Sequence, residues 1–169
     1  NTAQLSSKSY DLMMDINVRG TYLVTKHALP LLEKASQGAH IITMSPPLNM
    51  DLKWFKQHVA YTLSKYNMTM MTMAWSEEFK SKKIAANSLW PMTTIATAAV
   101  NNLLGGDALM RQSRTPQIIA DAVAFILKQE LAYTGQQLLD EAVLEQAGIT
   151  DWAHYAVDAT QPLFKDLFL

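Results

Sequence analysis

Between Ser7 and Lys34 the apolar positions Leu12, Met13, Ile16, Tyr22, Leu23, His27, Leu29, Leu31 and Leu32 recur at helical spacing. That pattern predicts one long helix with a broad apolar face. Pro30 near its end predicts a kink or a fresh turn. The period then changes. Ala39-His40-Ile41-Ile42-Thr43-Met44-Ser45 is a short apolar run with β-branched residues, bounded by Gly38 and by Pro46-Pro47, and it predicts a buried strand. Pro46 to Lys56 reads as a loop, and about His58 to Phe79 as a second long helix, rich in methionine. Ile84 to Trp90 is another buried strand, stopped by Pro91. A loop and a weak helix follow to Gly105-Gly106. Pro116 opens a third helix to about Lys128, and Gln136 to Asp140 forms a third short strand. Glu141 to Leu169 is a polar and aromatic tail with no clear period.

Helix and strand therefore alternate. That order predicts an α/β fold, and right-handed crossovers make its sheet parallel. Three strands are few for such a sheet, and the outer edge of the first would be bare. The expectation is that further strands precede Asn1, which is not an initiator methionine. A length of 169 residues suits one domain. With 49% hydrophobic and 17% charged residues, the chain has the composition of a globular protein with a large core. A net charge of −1 gives no electrostatic case for nucleic acid. The lysines at 80, 82 and 83 read as a solvated helix end favoured by the helix dipole. No cysteine is present, which excludes disulfide and thiolate chemistry and fits a reducing compartment. No apolar run reaches the roughly 18 residues of a membrane span. The expected location is the cytoplasm or an organelle matrix.

Candidate chemistry centres on Tyr61-Thr62-Leu63-Ser64-Lys65. In a helix, four residues return the chain to nearly the same azimuth, about 40° apart, so Tyr61 and Lys65 share a face. A cation beside a phenol favours the phenolate, lowering its pKa from about 10. Such a tyrosine can exchange a proton with an alcohol or ketone near neutral pH. A hydroxyl from Ser45 near the same carbonyl oxygen would polarise it further. The methionines at 68, 70, 71 and 73 read as a packed helix face, since methionine fills irregular gaps. His27, His40 and His154 have no partner at metal-ligand spacing, and His58 reads as solvated or packed, so no metal is expected.

Four segments in order resemble the short-chain dehydrogenase/reductase family over residues 1 to about 142. Asp15-Ile16-Asn17-Val18-Arg19-Gly20-Thr21 is similar to its asparagine-bearing helix, and Ile41-Ile42-Thr43-Met44-Ser45 to its serine-bearing strand. Tyr61 to Lys65 is similar to its Tyr-x3-Lys, and Asn87-Ser88-Leu89-Trp90-Pro91 to the strand and proline before its nicotinamide-binding loop. Further similarities to one branch of the family lie in Ser45 to Asn49, Trp54 to His58, and the tail from Gly148 to Leu169. The resemblance implies the C-terminal half of a Rossmann-like, doubly wound parallel sheet, with residues 143–169 as an extension packed on it.

The resemblance also implies roles. Tyr61 is the general acid/base. Lys65 lowers its pKa and holds the nicotinamide ribose. Ser45 bonds the substrate oxygen, and Asn17 belongs to a proton relay that keeps a water beside Lys65. Pro91, Ile95 and Thr97 line the nicotinamide or form an ordinary strand-to-helix loop. Trp54 and Phe55 contact an apolar substrate or merely pack. The implied cofactor is NADP or NAD, NADP being preferred, and the implied substrate is a small alcohol or carbonyl compound. The resemblance further implies a homo-oligomer joined through the two long helices. The family's Gly-rich phosphate loop and its Asn-Asn-Ala-Gly are absent, and Met92 stands where a glycine follows the proline. That leaves a second expectation, a catalytically inert self-associating module without cofactor.

Overall fold

The computed structural model describes residues 1–169. Helix α1, Ser7–Met14, begins at Ser6, whose Oγ accepts the Ser9 N–H at 3.1 Å and so satisfies one otherwise orphaned donor. Instead of continuing as one α-helix, the chain makes a π turn over Asp15–Arg19 and resumes as α2, Gly20–Leu32. The turn wraps five residues where an α-helix would need fewer, and it exits at a glycine. A Cβ on Gly20 would lie 3.3 Å from the Asp15 carbonyl oxygen. Pro30 does not start a fresh helix. It sits inside α2 two residues before the end, where only one donor is forfeited.

Strand β1, Ala39–Met44, follows Gly38, whose φ of +89° is in the left-handed region. The predicted loop after it holds one short helix, α3, Lys53–Lys56. Helix α4, Val59–Glu78, is the predicted methionine-rich helix. Lys83 takes a left-handed φ of +58° and turns the chain into β2, Ile84–Trp90, every residue of which is buried. β2 runs parallel to β1, in register from Ala39 opposite Ile84 to Met44 opposite Leu89. Burial on both faces explains why β2 lacks polar alternation, and its buried Asn87 is satisfied by donating to the Tyr133 carbonyl at 2.7 Å and accepting the Gln136 N–H at 2.9 Å.

Beyond β2 come a π turn at Val100–Leu104 and α5, Gly106–Arg111. They are followed by α6, Gln117–Ile126, and β3, Gln137–Leu139. The sheet order is β1-β2-β3, the expected three-stranded α/β arrangement. The tail is more regular than its sequence suggested. Asp140 opens α7, Asp140–Gln146, and a 3₁₀ turn covers Ala153–Tyr155. α7 is only seven residues long, too short for its period to stand out.

The chain forms two compact units. The first comprises Asn1–Trp90, Gln129–Leu138 and Phe168; the second comprises Pro91–Lys128, Leu139–Leu167 and Leu169. In the first, Trp75, Phe79, Ile84 and Ala86 form a core against Leu29, Leu32, Ala39, Ile41 and Met71. In the second, Ile118, Ala122, Ile126, Val143, Leu144 and Tyr155 are buried. There the Tyr155 hydroxyl donates to Asp121 at 2.7 Å, and the buried Arg114 pairs with Glu141.

Candidate active site

Tyr61 and Lys65 lie on consecutive turns near the start of α4, as the spacing predicts. Two bonds fix that start. The Thr62 N–H donates to the His58 carbonyl at 2.8 Å, and the Thr62 hydroxyl donates to the Trp54 carbonyl at 2.6 Å. The α4 rod therefore leaves the preceding loop at a set angle. Tyr61 is half-buried, with a cavity of about 150 Å³ beside it whose lining includes Leu5, Met13, Val59 and Ala60. His58 lies exposed at the same end.

The Lys65 ammonium donates to the Met44 carbonyl at 3.0 Å. Met44 is the last residue of β1 and immediately precedes Ser45. Lysine and serine are thus brought together at the carboxyl end of one strand, where ligands bind in open α/β sheets. The ammonium also lies 5.3 Å from the centroid of the Trp90 ring, within cation–π range. Ser45 is fully buried, and its hydroxyl lies 3.3 Å from that of Thr43. Thr43 in turn meets the Thr72 hydroxyl of α4 at 2.5 Å, and Thr72 donates to the Met68 carbonyl.

Asn17 sits in the π turn. Its Nδ2 donates to the Ser64 hydroxyl at 3.0 Å, and that hydroxyl donates to the Tyr61 carbonyl at 2.9 Å. Asn17 is therefore tied to the backbone of the residue at the centre of the site. π turns concentrate at functional positions because they re-aim side chains by one residue. Pro91, Ile95 and Thr97 belong to the second unit. Pro91 is buried, Ile95 bridges to Arg114, and the exposed Thr97 accepts the Val100 N–H at 3.4 Å. Of the methionines, Met68 is buried and Met71 packs on the core, while Met70 and Met73 are exposed.

Several participants were not foreseen. Phe168 is 2% exposed and touches four aromatic rings, Trp54, Tyr61, Tyr66 and Trp90. Asn49 serves it and Tyr66 together. Asn49 Nδ2 donates to the Phe168 carbonyl at 3.0 Å, while the Tyr66 hydroxyl donates to the Asn49 carbonyl at 2.5 Å and accepts its N–H at 3.2 Å. Burial pushes the Tyr66 hydroxyl above its ordinary pKa, which keeps it a donor. Asn49, Trp54 and Phe168 all stood in segments that resemble one branch of the family, but nothing in the tail marked Phe168 among its neighbours.

The asparagine in a π turn, the serine at a strand end and the Tyr-x3-Lys on one helix define a class. A family model described as enoyl-(acyl carrier protein) reductase matches residues 1–140, and the chain belongs to the short-chain dehydrogenase/reductase family. Within that family it is similar to hydroxysteroid dehydrogenase-like protein 2. It is 48% identical to that protein of Xenopus laevis and 46% identical to that of Homo sapiens, each over all of this chain and 40% of the relative. A crystal structure of a short chain dehydrogenase of Mycobacterium thermoresistibile is 41% identical, with a TM-score of 0.88 over 99% of this chain and 59% of that one. The chain thus spans less than half the length of the curated relatives it matches.

Proposed function

We propose that this chain carries the proton-handling part of an NAD(P)-dependent oxidoreductase that interconverts an alcohol and a ketone or aldehyde. The observation that carries the reading is the bond from Lys65 to Met44, which sets the Tyr61 helix against the strand end bearing Ser45. Tyr61 serves as general acid/base, giving its proton to the carbonyl oxygen in reduction and taking it in oxidation. Lys65 supplies the fixed positive charge beside it. The Ser45 hydroxyl turns from Thr43 toward the substrate oxygen, a step between staggered χ1 wells. Asn17 holds the Tyr61 backbone through Ser64, consistent with a place in the relay that serves Lys65.

An ammonium and a phenol on one helix face are a donor set that fits a ribose diol, so Tyr61 and Lys65 would hold the nicotinamide ribose. The bound cofactor, NADP by preference or NAD, supplies the hydride. The apolar cavity beside Tyr61 and the surrounding rings favour an apolar carbonyl or alcohol substrate.

Tyr61→Phe tests the reading in the longest natural polypeptide that contains this chain. NADPH-dependent ketone reduction should fall by about 10²–10⁴-fold, the range for a lost acid/base, while NADPH affinity by fluorescence titration falls by no more than about tenfold, the worth of one hydrogen bond to the ribose. Full turnover in that variant refutes the assignment.

A second reading rests on exposed apolar surface. Leu12, Ile16, Val24 and Leu31 of the first helical rod, with Met70 and Met73 of α4, are all exposed. They support self-association of the isolated chain as an inert module. Saturable NADPH binding by that chain counts against inertness, and a monomeric sedimentation profile counts against self-association.

A further inference from the structure

The Phe168 ring lies 6.1 Å from that of Tyr61 with only 22° between their planes. It also meets Trp90 at 5.9 Å, and Trp90 is the ring beneath the Lys65 ammonium. One buried residue therefore abuts the tyrosine directly and the lysine through one intervening ring. Its placement is not relaxed. Phe168 has a φ of +74°, a left-handed conformation that non-glycine residues adopt only when their surroundings hold them there. Asn49 Nδ2 on its carbonyl, with Trp54 at 5.6 Å and Tyr66 at 5.3 Å, holds it there. Alone among residues 167–169, Phe168 belongs to the unit that contains Tyr61.

We propose that Phe168 is a positioning residue for Tyr61, fixing the plane of the phenol by stacking and the height of Lys65 through Trp90. This rests on the acid/base role of Tyr61 for its effect on rate, but not for its effect on geometry. A half-buried phenol can swing about χ1 and χ2. The stacked ring removes that freedom, and the hydroxyl is left at one place relative to a substrate oxygen. Misplacing a reacting group by about 1 Å can cost roughly 10²-fold.

The test uses three variants in the full polypeptide. Phe168→Leu and Phe168→Met keep apolar bulk and remove the ring; Phe168→Tyr keeps the ring. Tyr61 ring resonances, assigned by their loss in Tyr61→Phe, should lose their ring-current shift in Phe168→Leu and regain it in Phe168→Tyr. The kcat should fall about tenfold to a hundredfold in Phe168→Leu with the cofactor Kd within about twofold. The kinetic pKa that vanishes in Tyr61→Phe should move in Phe168→Leu and return in Phe168→Tyr. If Phe168→Leu does not fold, Phe168→Met puts the same question, because methionine fills irregular space. Unchanged Tyr61 resonances in a folded ring-less variant overturn the proposal, as does an unchanged kcat in an active enzyme. If the wild-type protein has no turnover, the proposed function fails and the resonances alone decide the positioning role.

Discussion

Asp140 is a buried carboxyl whose two oxygens are treated unequally. Oδ1 accepts the N–H groups of Met92 and Glu141, each at 2.8 Å, whereas Oδ2 is buried without a partner. Burial is the leading cause that raises its pKa from 3.8 to about 6, opposed by the two backbone bonds and by Arg114. The sign follows from linkage. A carboxyl with a raised folded pKa binds its proton more tightly in the folded state. Its contribution favours folding below the unfolded value and is lost as pH rises through the folded value.

The full difference corresponds to about 3 kcal/mol, of which about 2 kcal/mol falls between about pH 4.5 and about pH 7.5. Asp140→Asn keeps an acceptor for the two N–H groups and removes the charge. In urea unfolding followed by circular dichroism, the wild type should lose about 2 kcal/mol more than the variant between those two pH values. Histidines and the other carboxylates titrate in both proteins and cancel in the comparison. Parallel pH dependences would refute the reasoning. A wild type that gained stability over that range relative to the variant would mean that Arg114 outweighs burial.

Two further substitutions test the packing that positions the site. A Cβ on Gly38 would lie 2.3 Å from Leu131 Cδ1 and 2.8 Å from the Lys83 carbonyl oxygen, at a φ of +89°. Gly38→Ala should therefore destabilise by about 1–3 kcal/mol in thermal unfolding, and an unchanged midpoint would show that the strand entry relaxes freely. Tyr66→Phe deletes both hydroxyl bonds to the backbone of the half-buried Asn49. It should cost about 1–3 kcal/mol, and a loss below about 0.3 kcal/mol would mean that the Asn49 backbone bonds are immaterial to stability.

Elements whose period repeats several times were the most legible in the sequence. The alternation of long helices with short, mostly apolar runs fixes the order of β1, α4 and β2, because burial on both faces of β2 leaves only Asn87 and Ser88 polar within it. The shared face of Tyr61 and Lys65 followed from helix geometry, and the Lys65 ammonium meets the Met44 carbonyl at the end of β1, one residue before Ser45. Less legible were features without a local signature. The π turn at Asp15–Arg19 keeps the composition of a helix while shifting its face, so the pattern looked continuous through it. Helix α7 is too short to show a period. The partnership of Asn49 with Tyr66 and Phe168 depends on loop closure that no window of sequence contains.

Phe168 also sets an order in time. Tyr61 and the ring stacked on it are separated by most of the chain. At roughly 5–20 residues per second, Phe168 is added on the order of ten seconds after Tyr61. The α4 helix and its strands can assemble during that interval, but the tyrosine stays unclamped until translation has passed Phe168. Completion of the site is thereby coupled to completion of this stretch of chain, and an interrupted product would fold in part while lacking the contact that orders its phenol.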